Sequence, residues 1–188
     1  SNEQSIARQK QSVVIVVDSR EARSNIPRLL RSEGAEIQSV DLLVGDYLLS
    51  DRVVVERKTF DDFASSIIDG RLFKESIPTK GSQLTGLANQ PFGILLIEGT
   101  TLDIKRSINI NSIMGAISSI ILDFKLTVVF TRDEVETAKL LYHLAKREQK
   151  DRSVPSLVIS SAKKEMDYSE IQEYLLTVIP GINMTKAR

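Results

Sequence analysis

Three valines, Val53 to Val55, run straight into Glu56, Arg57 and Lys58. A valine run belongs in a buried strand, whereas consecutive charges belong in water. Side chains alternate along a strand, so Glu56 and Lys58 project from one face and Arg57 from the other. A lone Glu-x-Lys at a strand end is ordinarily a surface ion pair. Here a second acid is near: Gly45-Asp46 precedes "YLLS", and Ser50-Asp51 separates that segment from "RVVVERK" as a hairpin turn would. A hairpin can bring Asp46 close to Glu56. Two carboxylates and a lysine at adjacent strand ends can hold Mg²⁺, orient water and neutralise a phosphate.

Composition narrows the chemistry. The chain has 188 residues, no cysteine and a single histidine, His143, which excludes disulfides and thiolate sites and argues against zinc. A hard cation bound by carboxylates fits what remains. The formal net charge is zero, so any nucleic-acid site is a local patch. No apolar run approaches the ~18 residues of a membrane span, and nothing at the start reads as a secretory signal, so no membrane partner is expected.

The elements that must position these residues follow from periodicity. Residues 1–12 are polar and aperiodic, a flexible lead-in. "VVIVV" (13–17) reads as a strand buried on both faces. A helix is expected from about Ser24 to Glu33, with Gly34 as its stop, and a strand over 36–43. Thr59 starts a helix in which Phe60, Phe63, Ala64 and Ile67 share a face and Gly70 is the end. Residues 71–91 read as a short helix and then a mobile loop. "FGILLIEG" (92–99) and "LTVVF" (126–130) are strands. Ile110, Ile113, Met114, Ile117, Ile121 and Phe124 mark an unusually apolar helix, and Asp133 to about Gln149 a charged amphipathic one. Strands alternate with helices over 13–149, which predicts an α/β domain with a central mixed sheet. A linker (150–167) and a short tail (168–188) follow.

The pattern D…(D/E)-x-K resembles the site of restriction-endonuclease-like phosphodiesterases. The longer arrangement, "GDYLLSDRVVVERKTFDD" with Asp62 four residues after the lysine, is more specific. Together with "VDSRE" (17–21), "DGRLFKE" (69–75), "LLIEG" (95–99), "LAKREQK" (144–150) and "IPGI" (179–182), it resembles the XPF/Hef family of structure-specific DNA endonucleases, of archaeal type. The resemblance covers nearly the whole chain from residue 13. It implies a nuclease domain over 13–149 and an incomplete helix–hairpin–helix domain over 168–188. It further implies Mg²⁺-dependent cleavage of 3′-flaps, forks and related branched DNA, with Mn²⁺ able to substitute, and a homodimer. A sliding clamp or a helicase is a further expected partner. The expected location is intracellular: cytoplasm or nucleoid in an archaeon, nucleus in a eukaryote.

The same resemblance implies the roles. Asp46 and Glu56 would be metal ligands, the peptide carbonyl of Arg57 would complete the shell, and Asp18 and Glu21 would ligate directly or through water. Lys58 would stabilise the attacking hydroxide and the phosphate. Asp62 has two readings, a catalytic acid or a capping partner of Thr59. Arg20 and Arg71 would contact phosphates around the acids, with Arg23 a weaker candidate. Gly181 and Ile182 would present hairpin amides to the DNA backbone. Glu98 is either a site-edge group or a helix cap, and His143 a surface or interface histidine. Ile120 and Leu122 lie off the apolar stripe of 110–124, which suggests a dimer surface there. Two departures stand out: Pro78, Gly81 and Gly86 interrupt the segment after "GRLF", and the chain stops at Arg188 within the first hairpin. A non-catalytic partner subunit, or a resolvase-type nuclease on the same fold, are the alternative readings.

Overall fold

The computed structural model describes residues 12–73 and 83–151. The described residues form six strands: β1 (Val13–Asp18), β2 (Ala35–Val40), β3 (Tyr47–Leu48), β4 (Val53–Thr59), β5 (Phe92–Glu98) and β6 (Thr127–Thr131). They make one sheet in the order β2-β1-β3-β4-β5-β6. The pairs β1–β2, β4–β5 and β5–β6 are parallel, whereas the short β3 is antiparallel to both its neighbours. The expected mixed sheet is therefore present, and its one antiparallel strand is the one that carries the chain to the candidate site.

Among the described residues, five helices cover the two faces: α1 (Ile26–Glu33), α2 (Phe60–Ile68), α3 (Gln83–Ala88), α4 (Ile110–Leu122) and α5 (Glu134–Asp151). Alternate residues of the central strands feed two separate cores. Ile15, Val17, Val53, Val55, Ile94 and Leu96 pack with Ile26 and Leu30 of α1 and with Leu141 and Ala145 of α5. Val54, Leu95 and Ile97 pack on the other face with Phe63 of α2, Leu87 of α3 and Ile113 and Ile120 of α4. Each such side chain buried from water stabilises the fold by about 1.5–3 kcal/mol before entropy is counted.

Local chemistry sets most boundaries. Thr59 accepts the N–H of Asp62 and caps α2, and Gly34 ends α1 at φ 100°, a conformation that costs a residue with a Cβ. Several boundaries differ from expectation. Ser19–Arg23 forms a 3-10 turn capped by Asp18, so α1 begins only at Ile26, with Pro27 in its first turn. β2 stops at Val40 rather than 43, because the N–H of Leu42 turns to the carboxylate of Asp18. α3 stands in the second half of 71–91, where a mobile loop was expected, and the short helix expected before it falls largely on residues 74–82, outside the described residues. α5 runs on to Asp151, past the expected start of the linker. The remaining linker, the tail and the lead-in up to residue 11 lie outside the described residues.

Ile120 is a correction of substance. It is fully buried in the core against α2, whereas Leu122 is 72% exposed. The buried stripe of α4 is Ile113, Ala116 and Ile120, at spacings of three and four. Ile110, Met114 and Ile121 belong to the exposed side instead. The apolar residues nearly encircle this helix, so periodicity alone could not choose the buried side.

Candidate active site

The ladder places three acids in a row. Val17 pairs with Tyr47, and Tyr47 with Val55. One step further along β1 and β4 stand Asp18 and Glu56, and Asp46 immediately precedes β3, the strand between them. The N–H of Asp18 donates to the carbonyl of Asp46 at 2.8 Å. Leu48 and Val54 face the α2–α4 core, so two-residue periodicity turns Asp46 and Glu56 to that same side. Lys58 shares it, as expected.

Gly45 explains how Asp46 comes so near. Its φ is 75°, and a Cβ there would collide with Val54 Cγ1 and press on the carbonyl of Val55. Beyond this close approach the ladder is rerouted. The N–H of Asp46 donates to Val55, and the N–H of Arg57 donates to Asp46 Oδ2, both at 2.8 Å. The Asp46 side chain thus takes the place of a ladder acceptor and is fixed against β4.

Electrostatics makes the pair unusual. Burial pushes the Asp46 carboxyl up, the Arg57 N–H opposes this, and the charges of Glu21 and Asp18 add to the rise. Burial likewise pushes Glu56 up, reinforced by Asp46, while Lys58 and Arg20 pull it down. Glu56 is only 4% exposed. Two poorly hydrated carboxylates this close favour sharing a proton or a cation over standing ionised alone.

The other expected ligands have partners of their own. Asp18 accepts Nε and Nη2 of Arg20 at 2.6 and 3.1 Å, and the N–H groups of Arg20 and Leu42 at 3.0 and 2.8 Å. Burial raises its pKa, but these donors outweigh burial and hold it below the usual carboxylate range. Glu21 accepts the Tyr47 hydroxyl at 2.6 Å and lies 3.5 Å from Nη1 of Arg57. Asp18 thus has no oxygen to spare, whereas the Glu21 contacts all fall on Oε2 and its charge acts on both Asp46 and Glu56. Among the described residues, no group of three acids or histidines is arranged to hold an ion.

Arg57 crosses the sheet. Its backbone N–H serves Asp46, while its guanidinium lies on the α1–α5 side, where it forks onto Glu98 at 2.6 and 3.1 Å. Glu98 also accepts the Thr137 hydroxyl at 2.6 Å, and Thr137 bonds Thr131 at 2.6 Å. Glu98 is therefore a buried ion-pair partner rather than a helix cap. It borders a cleft of about 550 Å³ with Asn25, Arg132 and Glu134, not the acid row. Sequence reasoning missed Tyr47, Thr137 and the pairing of Arg57 with Glu98, because none leaves a local signal: Glu98 is 41 residues from Arg57.

Asp62 is exposed on the first turn of α2. Its N–H donates to the Thr59 hydroxyl at 3.1 Å, and that hydroxyl donates to Asp62 Oδ2 at 2.8 Å. The capping reading describes what it does here. Arg71 follows the C-terminal end of α2, is 67% exposed and pairs with Asp69 at 3.1 Å. Arg23 is exposed on the 3-10 turn and His143 is exposed on α5. Gly181 and Ile182 lie outside the described residues.

The donor set at Asp46 and Glu56 suits a hard divalent cation. Both offer oxygens only, both are desolvated, and their mutual repulsion is relieved by positive charge. Asp18 stands beside Asp46, its N–H donating to the Asp46 carbonyl.

Comparison with known proteins agrees with this geometry. The family model described as the ERCC4 domain matches residues 17–144. A Methanocaldococcus jannaschii protein, named as a putative ATP-dependent RNA helicase, is 39% identical over 173 residues. The match takes in 92% of this chain but 20% of that protein, so the chain spans about a fifth of its length. The 3′-flap repair endonuclease Xpf of Saccharolobus solfataricus is 31% identical over 89% of this chain and 70% of its own. The structure of XPF from Aeropyrum pernix in complex with DNA superposes with a TM-score of 0.64 at 33% identity, covering 90% of this chain and 76% of that one. No helix among the described residues is long and apolar enough to cross a membrane. A matched family model over most of the chain, relatives and structural neighbours that are XPF proteins, and the acid row on the mixed sheet agree: this chain belongs to the ERCC4 domain family.

Proposed function

We propose that the chain is a divalent-cation-dependent endonuclease that hydrolyses phosphodiester bonds in 3′-flap, fork and related branched DNA. The observation that carries this reading is the buried Asp46–Glu56 pair beside Lys58 at the ends of β3 and β4, in a fold shared with a protein solved on DNA. Asp46 and Glu56 hold the cation, Mg²⁺ or Mn²⁺, with the Arg57 carbonyl as a further donor. Once bound, such an ion polarises the phosphate and lowers the pKa of water. Lys58 offsets charge developing on the phosphate oxygens, an effect that acts in the transition state. The Arg57 N–H holds Asp46 in one rotamer, so the cation site is formed before substrate arrives. Arg20, at the rim of the row, and Arg71, beyond α2, are the candidate phosphate contacts; backbone contacts of this kind position DNA without reading its sequence.

The exposed apolar residues Ile110, Met114, Ile121 and Leu122 of α4 suit a two-fold homodimer, in which one subunit cuts and the other grips the branch. The deciding experiment incubates the chain with Mg²⁺ and labelled linear duplex, 3′-flap and four-way junction. The reading expects the flap to be cut and Glu56→Gln to cut nothing. Binding of all three without cleavage would leave the non-catalytic partner reading, and preferential cutting of the junction the resolvase one.

A further inference from the structure

Asp18 is the acid of the row that has no lone pair to spare. Oδ1 accepts the N–H and Nε of Arg20, and Oδ2 accepts Nη2 of Arg20 and the N–H of Leu42. A carboxylate offers about four acceptor sites, and all are filled. The holders differ in kind. Two are backbone groups, fixed by the 3-10 turn and by the end of β2. The other two belong to one side chain, Arg20, which is 54% exposed while Asp18 is 1% exposed. Rotation of that one side chain would open half of the carboxylate without disturbing any backbone hydrogen bond. Arg20 also stands close enough to Asp46 and Glu56 for its charge to act on both.

We propose that Arg20 is a displaceable counter-cation: its guanidinium occupies Asp18 in the ion-free protein, a divalent cation bound at Asp46 and Glu56 competes for that carboxylate, and the released fork turns to a DNA phosphate beside the row. The inference rests on the reading of Asp46 and Glu56 as a cation site. Its chemistry is an exchange of like for like. The planar guanidinium matches carboxylate and phosphate with the same two-pronged geometry, so the fork gives up one bidentate partner for another. A double charge attracts the carboxylate more strongly than a single one at similar distance. Arg20 is thereby a positioning residue for the cation and a contact for the substrate in turn.

The test measures Mn²⁺ binding to the 188-residue chain, without DNA, from the electron-paramagnetic signal of free Mn²⁺. Wild type, Arg20→Ala, Arg20→Lys, Glu56→Gln and the double variant Arg20→Ala/Asp18→Asn are compared, with a thermal melt of each. Arg20→Ala is expected to bind Mn²⁺ about tenfold more tightly, the scale of losing hydrogen bonds to a charged group. Arg20→Lys, which keeps the charge without the fork, should show part of the gain and serves in its place if Arg20→Ala does not fold. The double variant should lose the gain. Affinity for duplex DNA should fall several-fold in Arg20→Ala in the presence of Ca²⁺ and stay unchanged in EDTA. Equal or weaker Mn²⁺ binding by a folded Arg20→Ala overturns the proposal. So does a gain that persists with Asp18→Asn, which marks repulsion at a distance rather than competition. If wild type binds no Mn²⁺ that Glu56→Gln abolishes, the cation-site reading itself fails, and the proposal with it.

Discussion

Arg57 and Asp46 are joined by a hydrogen bond from backbone N–H to carboxylate oxygen, 2.8 Å long, in a position where a regular ladder would use a carbonyl. The same residue sends its guanidinium through to Glu98 on the other face. One strand residue thus ties a candidate cation ligand to a buried ion pair, and the predictions below follow from that arrangement and its surroundings.

Glu56→Gln and Asp46→Asn should each abolish cleavage while leaving DNA affinity nearly unchanged, because both acids are placed to hold a cation rather than DNA. Lys58→Ala should slow single-turnover cleavage by about two orders of magnitude or more, as loss of one transition-state stabiliser does. Near-normal turnover by Glu56→Gln in Mg²⁺ would remove the site assignment.

Glu98→Ala should destabilise the fold by up to about 3 kcal/mol, the low end for breaking a buried pair, since the mostly buried Arg57 guanidinium loses its forked partner but keeps Glu21 and Glu134 at 3.5 and 3.8 Å. Urea denaturation measures this. Arg57→Met, which removes the charge while keeping bulk, should cost less than Glu98→Ala. The reverse order would mean that Glu98, not Arg57, carries the burden of burial.

Stability without a divalent ion should fall as pH rises. The folded chain raises Asp46 from an ordinary 3.8 to about 6 and Glu56 from 4.5 to about 8. Between the ordinary and the raised values the unfolded chain has released protons that the folded chain still holds, so raising pH favours unfolding. In EDTA the melting temperature should decline from about pH 4 to about pH 8. Glu56→Gln should flatten the decline, and Mg²⁺ should restore stability at the alkaline end by binding only the folded form. A melting temperature that climbs over this range in EDTA would contradict the raised values.

Mg²⁺ and Mn²⁺ should each support cleavage, EDTA should stop it, and Ca²⁺ should allow binding without turnover because its looser coordination misplaces the water. Full activity in EDTA would exclude the proposed chemistry.

A charge on the exposed side of α4 should dissociate a dimer without unfolding the subunit. Met114→Glu and Leu122→Glu are the informative changes, at positions 54% and 72% exposed. Ile120→Glu would bury an unpaired charge in the core and report on folding instead. Analytical ultracentrifugation at tens of micromolar should show wild type as a dimer and both exposed variants as monomers. A wild-type monomer, or variants that remain dimeric, would move the contact elsewhere.

Much of this protein was legible because it is written locally. Valine and isoleucine runs mark β1, β4 and β5 with little ambiguity, since continuous β-branched segments fit a sheet covered on both sides. The alternation of a strand puts Glu56 and Lys58 on one face whatever the rest of the chain does. Thr59 with Asp62 announces the start of α2. What local pattern could not decide is where long side chains go after leaving the backbone. Arg57 could have pointed to solvent, yet folding brings Glu98 beneath it. Asp18 looked like a further ligand by position, but Arg20 and Leu42 take up its oxygens, and Tyr47 takes up one oxygen of Glu21. Ile120 and Ile121 are equally apolar, and only the packing of α4 against α2 and the sheet chooses Ile120 for the core. Sequence by itself determined the strands, the caps and the facing acids, because those depend on neighbours within a few residues. Tertiary structure alone decided which charges are already paired and which apolar face stays open, because those depend on groups brought together from distant parts of the chain.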